Sequence, residues 1–446
     1  MSAIIRETEH LATRSGDADD SLVRTFSQLD NVLQKSRYPK AQRYDTLLRL
    51  LVLKIHDELH GQHAAGLKRY SLEEAVTGSL LRRRMADACT RYAAVLPSMA
   101  PTPIDCSDET LCELWRSLDS LDILTATPSM MQNFFMYFTR ELSKVDLAQY
   151  FTPYDLVDFI VTILNPTRED RVIDPACGTS DFLIAAQRIA TAKHATAGGV
   201  PQLFGSDVSD AAVDLSKLNL FLNGCMGAVV NQSDSLENFE AHEGKFTLAL
   251  CNPPFGGRLI ERRRHVLDQF ELAVGVKGQE IGLLFVELCL RLVVPRGRAG
   301  IVVPNGYLGN RGPRYMAFRR WLFRHARIAA VIGFPRFAFR RSGADVSASI
   351  LVCERRPRPL RDVSDVENHP IYFDLVDSVG WNLEAKYGRR TYKRNQQDGS
   401  VLRDSRGNPI PDSDFDRVLS DLYQSSVPGA FPWLLSRTNT PSRVIR

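Results

Sequence analysis

The chain has 446 residues, more than a single hydrophobic core organises, so its length predicts two or three domains. Its 44% hydrophobic and 24% charged residues exclude a fibrous or low-complexity chain, and a net charge of +4 from 56 basic and 52 acidic residues neither demands nor excludes nucleic acid. The eight cysteines (Cys89, Cys106, Cys112, Cys177, Cys225, Cys251, Cys289 and Cys353) form no Cys-x-x-Cys pair and gather no histidines, which predicts buried reduced thiols and no metal site, while the lack of a signal peptide or a bilayer-length apolar run predicts a cytoplasmic protein with no membrane partner.

Residues 1–22 are polar and predict a disordered tail. Residues 23–144 read as a helical N-terminal domain, clearest over Tyr44–Ile55 and Met130–Leu142, with Pro97, Pro101 and Pro103 as breaks. Such a domain serves packing or partner binding, not chemistry. The periodicity changes near Val145. Ala148-Gln-Tyr-Phe-Thr-Pro153 precedes a helix over 154–164, with Pro153 at or near its first position. A short buried strand over 171–173 then meets Asp174-Pro-Ala-Cys-Gly-Thr-Ser-Asp181 and a helix over 182–190. Strand, glycine-containing turn and helix open a nucleotide-binding α/β unit, although the turn is not Gly-x-Gly-x-x-Gly.

A second strand, 203–207, ends in Asp207, about 30 residues beyond the first strand end and near the spacing at which such folds place a carboxylate on a ribose. A third, 229–233, ends in Asp234-Ser235, where Asp234 is a candidate partner for an adenine amino group. Each acid alone is an ordinary turn residue or helix cap. Asp174, Asp207 and Asp234 at three successive strand ends point to a ligand instead.

The apolar run 247–251 breaks off at Asn252-Pro253-Pro254-Phe255. Two prolines fix φ near −65° and remove two backbone donors, so the strand must end in a rigid turn. The Asn252 amide and the Pro253 carbonyl offer two acceptors to one amino group, and Phe255 offers a flat apolar face. An exocyclic amine on a nucleobase is a poor nucleophile because its lone pair is delocalised into the ring. Two acceptors on its hydrogens free that pair, and an aromatic ring can stack on a base flipped from its duplex.

Residues 256–279 read as a loop containing Arg262-Arg-Arg-His265. Helix 281–294, strand 299–304, helix 314–326 and strands 328–334 and 348–353 follow, a mostly parallel sheet closed by an antiparallel hairpin. Basic residues gather in this half. Arg262, Arg263, Arg264, Arg336, Arg340 and Arg341, interleaved with Phe334, Phe337 and Phe339, are candidate phosphate contacts. Residues 357–446 are proline- and charge-rich, with one strand-like piece at 370–373, and read as an extension that docks a partner or DNA.

Residues 148–355 resemble the catalytic domain of S-adenosylmethionine-dependent DNA adenine-N6 methyltransferases, and most of all the modification subunit of type I restriction-modification systems. Ala148-Gln-Tyr-Phe-Thr-Pro153, Asp174-Pro-Ala-Cys-Gly-Thr179, Asp207, Ser233-Asp-Ser235 and Asn252-Pro-Pro-Phe255 carry the likeness in order, followed by Phe334–Phe339 and 343–353. The resemblance implies a Rossmann-like methyltransferase over 145–356, with a mostly parallel seven-stranded sheet, an antiparallel terminal hairpin and an all-α domain before it. It implies S-adenosyl-L-methionine bound by Tyr150, Phe151, Thr152, Pro153, Asp174, Ala176, Gly178, Thr179, Asp181, Asp207, Val208, Asp234, Ser235 and Asn252. Catalysis falls to Asn252, Pro253, Pro254 and Phe255, and the flipped base to Phe255 and Phe339. The implied partners are duplex DNA, a separate specificity subunit, a restriction subunit and a second copy of the chain. Two departures stand out: Ser180-Asp181 where the loop commonly continues Gly-Gly or Gly-Ser, and Thr247 where an aspartate often precedes the strand.

Other chemistries share the motif. A protein glutamine-N5 methyltransferase also uses Asn-Pro-Pro-aromatic, usually with tyrosine. An RNA methyltransferase and a non-catalytic cofactor-binding subunit of a defence complex are further alternatives. Fewer than a hundred residues follow Cys353, so the expectation is that site choice lies in another subunit and that the chain alone binds DNA weakly.

Overall fold

The computed structural model describes residues 21–61, 77–93, 104–119, 123, 132, 151–192, 199–254, 259–340, 346–367, 369–382, 389–404, 407, 409–425 and 431–434. The expected tail up to residue 20 and the expected helix over 130–142, apart from Gln132, lie outside them. The chain divides into two compact units, residues 1–147 with 217–224, and residues 148–216 with 225–446.

The first unit contains helices α1 (Ser21–Lys35), α2 (Lys40–Gly61), α3 (Gly78–Tyr92) and α4 (Asp108–Asp119). Their apolar faces form one core, with Phe26, Leu29, Leu33, Leu50, Leu81, Met85, Leu111 and Leu114 buried. Thr77 caps α3, its hydroxyl accepting from the Leu80 N–H at 3.3 Å. A buried Arg43–Asp30 pair at 2.8 Å joins α1 and α2.

The second unit is built on eight sheet strands: β1 (Arg171–Asp174), β2 (Gln202–Asp207), β3 (Val229–Gln232), β4 (Phe246–Cys251), β5 (Val293–Pro304), β6 (Ala326–Gly333), β7 (Ala348–Arg355) and β8 (Tyr372–Leu375). Their order is β8-β6-β7-β5-β4-β1-β2-β3. Only β7 runs antiparallel, pairing with β5 and β6. The central strands are almost continuously buried, as β4 and β7 show, because helices cover both faces of a parallel sheet. Those helices are α5 (Tyr154–Leu164), α6 (Asp181–Ala192), α8 (Ile281–Leu292) and α9 (Pro313–His325); α7 (Asp210–Leu222) begins in this unit and its residues from Lys217 belong to the first, and α10 (Phe415–Ser425) lies near the end of the described chain. Helix α8 is buried on nearly every side, and its sequence is apolar all round.

The sheet has eight strands where the sequence predicts seven. The strand-like piece of the C-terminal extension becomes β8, which pairs in parallel with β6 along 372–375 and covers an edge whose backbone groups need partners. The predicted loop 256–279 also carries more structure than expected. Ile260–Glu261 pairs antiparallel with Gln279–Glu280, closing a small ribbon.

Chain order places the site. The path runs β1 to β2 to β3 outward on one side, then returns through β4 on the other side of β1. The crevice where order reverses lies between the carboxyl ends of β1 and β4, the position at which open α/β sheets hold ligands.

Candidate active site

β1 and β4 pair through Val172 with Leu248 and Ile173 with Ala249, so Asp174 and Asn252 emerge at neighbouring strand ends. The Asn252 side-chain amide donates from Nδ2 to Thr152 Oγ1 at 2.9 Å. Thr152 is buried, and Pro153 beside it is the residue that starts α5. The segment before α5 and the Asn-Pro-Pro turn, a hundred residues apart in sequence, therefore meet. Because Nδ2 is the donor to Thr152, Oδ1 is the acceptor end of the amide.

The loop after β1 is held by the ends of β2 and β3 as well as by its own hydrogen bonds. The Cys177 N–H donates to the Ser206 carbonyl at 2.9 Å. The Gly178 N–H donates to Asp207 Oδ2 at 3.1 Å, while the Ser209 N–H donates to Oδ1 at 3.0 Å. The end of β3 joins in, Ser233 N–H reaching the Asp207 carbonyl at 2.9 Å and Ser235 Oγ donating to the Pro175 carbonyl at 2.7 Å. Gly178 has φ +50°, a left-handed conformation, and a Cβ added there meets nothing within 4 Å, so the loop leaves open space on that side. Gly205 in β2 is different: a Cβ there would lie 3.0 Å from Cys177 Sγ, so glycine lets loop and strand close up.

Asp174 is 1% exposed, with the Ala176 N–H donating to Oδ1 at 3.1 Å. Burial pushes its carboxyl up to about 8, and the neighbouring charges of Asp207 and Asp181 add to the rise. Asp181, at the start of α6, accepts from Thr179 Oγ1 at 2.7 Å. Val208, next to Asp207, is 62% exposed, an open apolar face. Half-buried Phe151 and Ala176 complete the surroundings.

The remaining expected residues divide. Asp234 accepts from the Leu236 N–H at 3.0 Å through Oδ1 and pairs through Oδ2 with Arg263 at 2.6 Å. Arg263 also meets Glu261 at 2.7 Å and Glu237 at 3.6 Å, so this guanidinium, expected on a phosphate, is surrounded by three carboxylates and latches the β3 turn to the ribbon. Arg264 pairs with Asp268 at 2.5 Å. Arg262 is exposed. Phe339, expected over the base, is 0% exposed and packs edge-to-face on Phe334 at 6.3 Å, holding its turn from inside the core. Arg336 is exposed and Arg340 half-buried on that turn, beyond the carboxyl end of β6. Pro253 is buried and Pro254 half-buried. Tyr150, Phe255 and Arg341 lie outside the described residues. Sequence reasoning missed the Ser206 and Pro175 carbonyls and the Arg263 latch. Backbone acceptors leave no mark in side-chain identity, and three successive arginines do not say which one is paired.

All eight cysteines are buried and free. Among the described residues no group of three His, Cys, Asp or Glu side chains is placed to hold a metal, and no helix is long and apolar enough to cross a membrane.

This is a methyltransferase fold. A type I restriction-modification system methyltransferase subunit from Streptococcus thermophilus superposes with a TM-score of 0.60 at 14% identity, covering 92% of this chain and 94% of that one. The chain belongs to the N-6 DNA methylase family, whose sequence profile matches residues 129–370. Relatives include the type I restriction enzyme MjaVII methylase subunit of Methanocaldococcus jannaschii, 26% identical over 242 residues, a match covering 52% of this chain and 41% of that protein. The EcoKI methylase subunit of Escherichia coli K12 is 24% identical over 264 residues, 56% of this chain and 47% of that protein. Each match thus spans less than half of the relative. S-adenosyl-L-methionine is the methyl donor of the family.

The residues present fit that cofactor. It is a cation with a ribose diol and an adenine ring. The crevice supplies uncompensated acid at Asp174, a second carboxylate at Asp207, an apolar face at Val208 and free space beside Gly178.

Proposed function

We propose that the chain methylates the N6 amine of adenine in duplex DNA as the modification subunit of a type I-like restriction-modification system, with site choice by a separate specificity subunit. The observation that carries this reading is the Asn252–Thr152 hydrogen bond in the crevice beside Asp174. With Nδ2 turned to Thr152, Oδ1 and the Pro253 carbonyl are the two acceptors that this turn would offer an amine.

S-adenosyl-L-methionine, when bound, supplies an electrophilic methyl group on a positively charged sulfur. Asp207 and Val208 hold its nucleoside, together with the turn of Asp234 and Ser235. Asp174, Ala176, Gly178, Thr179 and Asp181 hold its methionine end, with Phe151, Thr152 and Pro153 closing over it. Asn252 and Pro253 accept the two hydrogens of the target amine and turn its lone pair toward the methyl group. Pro254 keeps that turn rigid. Phe255 stacks on the flipped base. The donor would supply the methyl carbon and keep the electrons of its carbon–sulfur bond, and the amine held by Asn252 and Pro253 would give its proton to water. Positioning does most of the work.

The test incubates the purified chain, alone and with co-purifying partners, with radiolabelled S-adenosyl-L-methionine and unmethylated duplex DNA, and separates the product nucleosides. The expected result is label in N6-methyladenine, increased by the partners and lost in Asn252→Ala. Label in protein, or none in DNA under either condition, overturns the reading.

A further inference from the structure

A cleft of about 600 Å³ opens between the ribbon 260–280 and the start of α9, lined by Ile260, Arg262, Val276, Lys277, Gly278 and Arg314. It belongs to the same edge of the sheet as Asn252. Ile260 follows Asn252 by eight residues in the connection leaving β4. Arg314 follows β5, whose last residues run parallel to β4, Cys251 opposite Ile301. The ribbon closes through Ile260 opposite Glu280 and through the Ile281 N–H donating to the Leu259 carbonyl at 3.0 Å. Gly278 is required there, because a Cβ would stand 2.9 Å from Ile260 Cγ2.

The charges around this cleft are unevenly spent. Arg263 and Arg264 are committed to carboxylates on the ribbon and its neighbours. Arg262 and Lys277 are exposed, and among the described residues neither has a carboxylate within 4.0 Å. Arg314 pairs with Glu280 at 3.0 Å, and the Tyr315 hydroxyl donates to the same oxygen at 2.6 Å, so that single carboxylate is shared. The walls between the cations are the aliphatic side chains of Ile260 and Val276. Two cations without a carboxylate, and a third that shares one, around apolar walls match a sugar-phosphate chain, with phosphates for the guanidinium and ammonium groups and deoxyribose carbons for the aliphatic ones.

We propose that this cleft holds the DNA backbone next to the flipped adenine, with Arg262, Lys277 and Arg314 as its phosphate contacts, and that Arg263 and Arg264 serve the protein's own structure. The proposal rests on the reading of the chain as a DNA methyltransferase. Phosphate contact carries no sequence information, so any duplex reports it.

The test measures anisotropy of a labelled duplex with the full chain across a range of salt concentrations, alongside cofactor binding and methyl transfer. Arg262→Ala, Lys277→Ala and Arg314→Ala are each expected to lower the slope of log affinity against log salt by about 1, and to weaken binding similarly on all sequences. Lys277→Arg is expected to restore the slope. Arg296→Ala, an exposed arginine near the start of β5 and so at the other edge of the sheet, is expected to leave it unchanged. The proposal is overturned if the triple variant keeps the wild-type slope while wild type binds and methylates DNA. If the wild-type chain binds cofactor but, both alone and with its co-purifying partners, shows no salt-dependent binding and no transfer to DNA, the functional reading falls and the proposal falls with it.

Discussion

A buried aspartate stands at each end of β1, and the two are treated in opposite ways. Asp170 precedes the strand and Asp174 ends it. Asp170 receives Arg298 at 2.6 and 3.1 Å, the Thr247 hydroxyl at 2.6 Å and the Thr167 N–H at 2.7 Å. Burial works to raise its carboxyl, but Arg298 and these donors outweigh it and hold the group below its ordinary range. Asp174 has no such cation, and burial lifts it to about 8. One end of the strand compensates its charge completely; the other keeps an acid in reserve. A buried acid with its charge uncompensated is unstable unless something positive binds it, which marks the carboxyl edge as the ligand edge. The comparison also explains Thr247. Its hydroxyl serves Asp170, where an aspartate would set a second carboxylate against the first.

The sharpest way to break the comparison is Arg298→Ala. It strands Asp170 and removes donors to the Leu164 and Asn165 carbonyls, and should cost about 3–5 kcal/mol in denaturant unfolding. A loss below about 1 kcal/mol would mean that the pair does not hold this end of the sheet. At the other end, Asn252→Ala should lower methyl transfer on the order of 100- to 1000-fold, the scale of losing one preset polar contact to a reacting group. Cofactor affinity, read by calorimetry, should fall far less.

Titration separates the two aspartates by sign. Asp174 ionises near 4 in the unfolded chain and about 8 in the folded one, so the folded chain holds the extra proton between those values. Its contribution to stability therefore declines as pH rises across that window, and Asp174→Asn should flatten this decline. Cofactor affinity should move the other way. It should strengthen by at most about tenfold per pH unit up to about pH 8 and then level off, a dependence that Asp174→Asn removes. Asp170 is held low, so its contribution is present above the unfolded value and lost as acid takes pH down through the folded one. The smallest effect belongs to Thr152→Ala. Losing one hydrogen bond, about 0.5–1.5 kcal/mol, should slow transfer several-fold, and Thr152→Ser should recover most of it.

The core of the fold is legible in the residues. The runs ahead of Asp174, Asp207 and Asp234 are strands; Asp174 and Asp207 close theirs, and Asp234 stands two residues beyond the end of β3 at Gln232. Helices α5, α6, α8 and α9 begin and end within two residues of their expected positions, with Pro153 just before α5 and Pro313 at the start of α9, where proline's missing donor costs nothing. β8 is less legible. A strand-like piece shows at 370–373, but four residues alternating between half-buried and exposed do not say that it joins the main sheet, which it does at 372–375 because β6 offers it partners.

By itself, the sequence determined which chemistry was on offer: a strand broken by Asn252-Pro-Pro, acids at the strand ends before it, and the glycine that turns the cofactor loop. These are local properties, set by φ restriction, lost donors and charge placed within a few residues of one another. Only the tertiary structure decided how those groups are used. It set Thr152 against Asn252, put Phe339 in the core, gave Arg298 to one aspartate of β1 and not the other, and spent Arg263 on three carboxylates while leaving Arg262 unspent. The physical reason is that pairing and burial depend on contacts between residues tens to hundreds of positions apart, and an arginine in a run looks the same whether or not a carboxylate from elsewhere has reached it.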